Sequence, residues 1–238
     1  MVAIDGPSGA GKSTVARALA RRLEVPYIDT GAMYRAIGLA ASRAGIGLPI
    51  GDPDAVARIA EAVRVELTAA PNAASQAGAP QGSSRVLLDG EDVSEAIRLP
   101  EMSRYASAVS AIPAVRRILV AQQQRLGRES GGVLEGRDIG TKVFPDTPFK
   151  FFVTADPAVR ALRRTRELAE RGTPQAYEAV LAEMEQRDAA DGSRADSPLT
   201  LDGRYVLVDT SAKSVEAVVE EIEKAVTEAL HRASHKGI

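Results

Sequence analysis

Gly6-Pro7-Ser8-Gly9-Ala10-Gly11-Lys12-Ser13-Thr14 brings glycines, a lysine and hydroxyls together at a spacing that suits phosphate. Glycines let the backbone adopt conformations closed to other residues, so successive N–H groups can converge on phosphate oxygens. In the phosphate-binding loop pattern that this string fits, Lys12 reaches the terminal phosphates and the Ser13 hydroxyl ligates Mg²⁺. Further on stand positions suited to anion chemistry: Arg35, Arg137 beside Asp138, then Arg160, Arg163 and Arg164, and finally Arg187, Asp191 and Arg194. Arginine's planar fork matches phosphate and carboxylate oxygens in pairs. Only Lys12, Lys142, Lys150, Lys213, Lys224 and Lys236 are lysines among the 30 basic residues. Because alanine is also abundant, the position of an arginine carries weight and the arginine count does not.

The chemistry this set permits is phosphoryl transfer. The chain has no cysteine, and its two histidines, His231 and His235, lie in the last eight residues. Thiol catalysis and disulfides are excluded, and a histidine acid–base role is not expected from the tail. A net charge of −2 argues against a basic nucleic-acid-binding surface. No apolar run approaches the ~18 residues of a membrane span. The amino terminus runs straight into a strand, so neither a signal nor a transit peptide is expected. A cytoplasmic monomer that takes small-molecule substrates, with no nucleic-acid or membrane partner, is the expectation.

The elements that must position these residues follow from periodicity. Met1-Val2-Ala3-Ile4-Asp5 reads as an apolar strand, and Val15, Leu19 and Leu23 recur at helical spacing. This strand–loop–helix context makes the glycine string a phosphate cradle, with the positive end of the helix dipole aimed at the anion. Residues 25–29 read as a second strand, followed by a helix that Thr30 could cap. That places Thr30 and Arg35 at the carboxyl edge of a sheet, where open α/β folds bind ligands.

Residues 45–110 break the alternation of strand and helix. Val63, Val65 and Leu67 alternate as a strand, and Val86-Leu87-Leu88 turns through Asp89-Gly90 into a hairpin. The stretch 69–85, rich in Ala, Gly, Pro, Ser, Gln and Asn, reads as a flexible connection. Pro113 opens a helix, 132–138 reads as a strand ending in Arg137-Asp138, and 149–153 as another. Asp156-Pro157 caps a basic helix closing at Arg171-Gly172, and Thr173-Pro174 opens the next. Residues 205–209 form the last strand. The final helix, capped by Ser214, buries Val215, Val218, Val219, Ile222 and Val226. Five apolar strands separated by helices make a parallel sheet with both faces covered.

A phosphate-binding loop alone leaves kinases, GTPases and ATP-driven machines open. The guanine-reading Asn-Lys-x-Asp motif is missing, since Asn72 is the one asparagine. A small-molecule kinase remains, with another nucleotide or metabolite kinase, or a non-catalytic nucleotide sensor, as alternatives.

Taken together, Gly6 to Thr14, Asp29-Thr30-Gly31-Ala32-Met33-Tyr34-Arg35, Gly90-Glu91-Asp92-Val93, Gly136-Arg137-Asp138-Ile139-Gly140, and Arg187 to Arg194 resemble the bacterial cytidylate kinases in order and spacing. The stretch 69–85 and Ala190 depart from the pattern. The resemblance implies an α/β phosphate-loop kinase fold. Its core would comprise 1–44, 111–155 and 173–238, with an antiparallel monophosphate-binding insert at 45–110 and a helical lid at 156–172. It implies ATP as phosphoryl donor, Mg²⁺ as cofactor, and CMP or dCMP as acceptor. Gly6 to Thr14 would hold ATP. Lys12, with Arg160, Arg163 and Arg164 on the lid, would act on the transferred group. Thr30 would touch the acceptor, and Arg35, Arg137 and Arg194 would hold its phosphate. Arg187 and Asp191 would contact the sugar, and Ser107, Arg116 and Asp138 would read cytosine. The base suits that set, because cytosine offers an amino donor to a carboxylate and N3 and O2 acceptors to a guanidinium or hydroxyl.

Overall fold

The computed structural model describes residues 1–68 and 85–235. In order these form β1 (Val2–Asp5), α1 (Lys12–Arg22), β2 (Tyr27–Asp29), α2 (Thr30–Arg43), α3 (Pro53–Ala62), β3 (Val65–Thr68), β4 (Arg85–Leu88) and β5 (Glu91–Asp92). There follow α4 (Pro100–Ser110), α5 (Pro113–Ser130), β6 (Val133–Gly136), β7 (Phe149–Thr154), α6 (Pro157–Glu170), α7 (Tyr177–Gly192), β8 (Val206–Asp209) and α8 (Val215–His235). The connection read at 69–85 lies outside the described residues except for Arg85, which begins β4.

The parallel sheet is present as expected, with five strands in the order β2-β6-β1-β7-β8. The chain divides into two compact units, Met1–Val25 with Val133–Ile238 and Pro26–Gly132.

In the first unit β1 is the centre of the sheet. Asp5 pairs with Gly136 of β6 on one side and with Phe152 of β7 on the other. Flanked on both edges, β1 is buried along its whole length, which is why it reads as a continuous apolar run and not an alternating one. Gly6 then leaves the strand at φ +146°, where an added Cβ would stand 1.9 Å from the Val153 carbonyl oxygen. Only glycine lets the chain turn away so close to β7. Helices α6 and α7 pack on each other through Ala161, Leu168, Val180 and Met184. The Asp156 carboxylate caps α6 by accepting from the Ala158 amide at 2.8 Å, with Pro157 in the first turn, as the sequence predicts.

Two helix expectations need correction in this unit. Helix α7 begins at Tyr177 and not at Thr173-Pro174, because 173–176 carry no regular structure after the Arg171-Gly172 turn and Ala176 is extended. Ser214 does cap α8 through the Ala217 amide, and Val218, Val219, Ile222 and Val226 are buried, but Val215 remains 36% exposed. Val215 is the first residue of the helix, and the apolar stripe of α8 begins one turn later.

The second unit holds the antiparallel sheet β3-β4-β5. Asp89 and Gly90, both at positive φ, turn β4 into β5, the conformation a two-residue hairpin demands. One apolar core joins α2, α3, α4 and α5 to that sheet. Met33, Ile37, Val56, Met102, Val109 and Leu119 lie at its centre. Thr30 is not the cap of α2. Asp29 is extended and accepts from the Ala32 amide at 3.0 Å, whereas Thr30 is the first helical residue and is buried.

Candidate active site

Three positive φ values, at Gly6, Gly9 and Gly11, shape the loop between β1 and α1. Gly11 caps α1 without a side-chain acceptor, so the first-turn amides keep their donor capacity for an anion. Ser13 and Thr14 are exposed at that end of the helix. Lys12 folds back over the loop and donates from Nζ to the Pro7 carbonyl at 2.6 Å. Burial brings its ammonium down to about 7; Arg137 and Arg187 push the same way, while Glu135 and Asp191 oppose. Its hydrogen bond goes to a neutral carbonyl, and a polyphosphate at the loop would favour the charged form.

The loop is tied to the rest of its unit by side chains that the sequence analysis did not single out. The Thr210 hydroxyl, at the end of β8, donates to the Ala10 carbonyl at 3.0 Å. Arg163 in turn donates to the Thr210 hydroxyl at 3.0 Å and to its carbonyl at 2.7 Å. Arg160 is 5% exposed. Its guanidinium reaches the Ala155 carbonyl at 3.0 Å, the Ser8 carbonyl at 3.1 Å and the Asp188 carboxylate at 2.6 Å. Arg164 pairs with Glu167 on its own helix at 2.8 Å. Helical spacing gives the face that Arg160 and Arg163 share, but contacts made across the fold are invisible to it.

A second cluster lies in the same unit. Asp191, in the last turn of α7, is almost fully buried between Arg137, whose Nε donates to it at 2.8 Å, and Arg194. Burial pushes its carboxyl up, but the guanidiniums of Arg137, Arg194 and Arg187 outweigh that and hold it below the usual range. Helix α7 ends at Gly192, so Arg194 reaches Asp191 from beyond the C-cap and not along a helical stripe. Asp138 is buried at the start of a π turn over Ile139–Val143.

Two of the remaining residues named from the sequence are on α2 and two on the α4–α5 pair, all in the second unit. Thr30 is buried and Arg35 half-buried on α2. Ser107 is half-buried on α4, its carbonyl accepting from the Ser110 hydroxyl at 2.9 Å. Arg116 is buried on α5, donates to the Ser110 carbonyl at 3.2 Å, and lies over the Tyr34 ring at 5.7 Å.

The cytidylate kinase family matches residues 2–228 of this sequence, strand β1 through most of α8. This chain belongs to the cytidylate kinase family. It is similar to the cytidylate kinase of Caldanaerobacter subterraneus subsp. tengcongensis, 46% identical over 94% of this chain and 93% of that one. The cytidylate kinase of Symbiobacterium thermophilum is 45% identical over 93% of both chains. A bifunctional pantoate ligase/cytidylate kinase of Synechococcus sp. (strain JA-3-3Ab) is 43% identical over 98% of this chain, which spans 42% of that longer protein.

A cytidylate kinase is a nucleoside monophosphate kinase, a nucleotide-binding transferase. No helix among the described residues is long and apolar enough to cross a membrane.

Proposed function

We propose that this kinase transfers the terminal phosphoryl group of ATP to CMP or dCMP, giving ADP and CDP or dCDP, with Mg²⁺. The observation that carries this reading is electrostatic. Lys12 of the cradle stands in the field of Arg137, Glu135, Arg187 and Asp191, and Arg137 and Arg194 converge on Asp191, so the donor lysine and the proposed acceptor-binding cluster share one guanidinium-rich neighbourhood. Two polyanions can be drawn together there.

Gly6 to Thr14 would hold the ATP phosphates. The donor set fits Mg²⁺ that arrives with the nucleotide. Ser13 offers an exposed hydroxyl at the cradle, and no group of three His, Cys, Asp or Glu residues among the described residues could cage a metal. Bound Mg²⁺ supplies charge neutralisation for the phosphates. Lys12 would move from the Pro7 carbonyl to the terminal phosphates, while Arg163 and Arg164 stabilise charge on the transferred group. Arg160 would hold the cradle through Ser8. The acceptor phosphate would be held by Arg35, Arg137 and Arg194, the sugar by Arg187 and Asp191, and cytosine by Ser107, Arg116 and Asp138, with Thr30 beside them. The attacking atom is a phosphate oxygen, ionised near neutral pH, so the chain needs no general base.

The test is a panel of nucleoside monophosphates with Mg²⁺ and ATP, followed by ADP release and by chromatographic identification of the product. CDP and dCDP from CMP and dCMP are expected. Preferential turnover of AMP, GMP or UMP would refute the reading.

A further inference from the structure

Asp5 closes β1 one residue before the cradle begins, and it is fully buried. Oδ1 accepts from the Ile139 amide at 2.9 Å. Oδ2 accepts from the Gly140 amide at 2.8 Å and from the Tyr205 hydroxyl at 2.7 Å. The two amides directly follow Asp138, which lies 133 positions along the chain from Asp5. We propose that Asp5 and Tyr205 are positioning residues for acceptor binding: the buried carboxylate, aimed by the tyrosine hydroxyl, fixes the turn that presents Arg137 and Asp138. The proposal rests on the reading of those two residues as acceptor contacts.

The π turn explains why a remote carboxylate is needed. Lys142 and Val143 return their amides to the Asp138 carbonyl at 2.8 and 3.2 Å, and Phe144 returns its own to the Ile139 carbonyl at 2.7 Å. The amides of Ile139 and Gly140 stand at the open start of such a turn, where no intrahelical acceptor exists. Asp5 satisfies both at once. Since Asp5 and Gly136 are register partners in adjacent strands, the carboxylate is fixed by the sheet itself.

Tyr205 is equally fixed. Its ring meets Phe152 edge-on, with centroids 6.0 Å apart and planes at 88°. A Cβ on Gly140 would come within 2.7 Å of the Tyr205 hydroxyl and 3.0 Å of the Lys150 side chain, so the turn lies flat against both. Burying a carboxylate carries a desolvation cost, and three directed hydrogen bonds offset it while fixing a single geometry. An apolar residue at position 5 would serve the core as well, but it would leave both amides unpaired.

The experiment compares wild type, Tyr205→Phe and Asp5→Asn by steady-state kinetics, varying CMP at saturating ATP and then ATP at saturating CMP. Tyr205→Phe keeps the ring on Phe152 and removes only the hydroxyl. Asp5→Asn keeps the size but sets an amide N–H₂ against a backbone donor. KM for CMP is expected to rise about tenfold in Asp5→Asn and about threefold in Tyr205→Phe, with KM for ATP changed less than about twofold. If Asp5→Asn fails to fold, Tyr205→Phe carries the test alone. Unchanged KM for CMP in a folded variant overturns the proposal, as does an equal rise in both KM values. A wild type without CMP turnover overturns the substrate reading and the proposal with it.

Discussion

The Arg160 guanidinium donates to the Asp188 carboxylate at 2.6 Å, and the same nitrogen reaches the Ser8 carbonyl at 3.1 Å. One side chain thereby joins α6, α7 and the backbone of the phosphate cradle. Gly9 fits the same join, since a Cβ there would stand 2.7 Å from the Met184 methyl and 3.2 Å from Arg160 Cβ. The cradle is thus held by α6 and α7 as well as by the sheet.

Removing Arg160 takes a donor from the partly buried Asp188 carboxylate and from the Ser8 and Ala155 carbonyls. Arg160→Ala is expected to lower stability by about 2–4 kcal/mol in urea unfolding and to weaken ATP binding several-fold. Asp188→Asn keeps an acceptor for the guanidinium and should cost less, about 1 kcal/mol. A loss in Arg160→Ala under about 0.5 kcal/mol would show that the join is ornamental.

With Lys12 at the proposed ATP phosphates, ATP binding would be proton-linked. In the free protein burial and the nearby guanidiniums set its ammonium at about 7. Polyphosphate favours the charged form and raises that value, so binding above about pH 7 takes up a proton. Calorimetry at pH 8 in buffers of different ionisation enthalpy should give an uptake of about half to one proton, absent in Lys12→Met. A buffer-independent heat in the wild type would contradict this.

Asp191 sets a second pH dependence. In the native chain its carboxyl is held below the usual range, so its contribution to stability is present above the unfolded value of 3.8 and lost as pH falls through the folded one. Arg137→Ala removes one of the guanidiniums that outweigh burial, and the folded value rises. The stability deficit of the variant should therefore be smallest near pH 2, where the carboxyl is protonated with or without Arg137, and grow as pH rises through the native folded value below 3.8, reaching about 2–3 kcal/mol at neutral pH. A deficit that stays constant over this range would indicate that Arg137 acts only by packing.

Much of this was legible in the sequence, and for local reasons. The hairpin at Asp89-Gly90 and the caps at Asp156 and Ser214 depend on neighbours within four residues. Central burial made β1 an unbroken apolar run. What escaped was non-local. Thr210 reaches Ala10 and Tyr205 reaches Asp5, each from 200 positions away, and no periodicity records such pairs. Arg160 and Arg163 look alike on a helical face, yet one is buried against the cradle and the other is turned to Thr210. The start of α2 was misplaced because Asp29 and Thr30 are both good caps, and only the backbone turn decides between them.

On the proposed reading, this kinase recognises its acceptor by the cytosine edge, with Asp138 taking the amino group. Uracil puts a carbonyl in that place, an unpaired arrangement worth roughly 1–3 kcal/mol. The most direct measurement is kcat/KM for CMP against UMP at saturating ATP and Mg²⁺. A preference for CMP of about fivefold to 150-fold is expected. Equal values for the two nucleotides would contradict it.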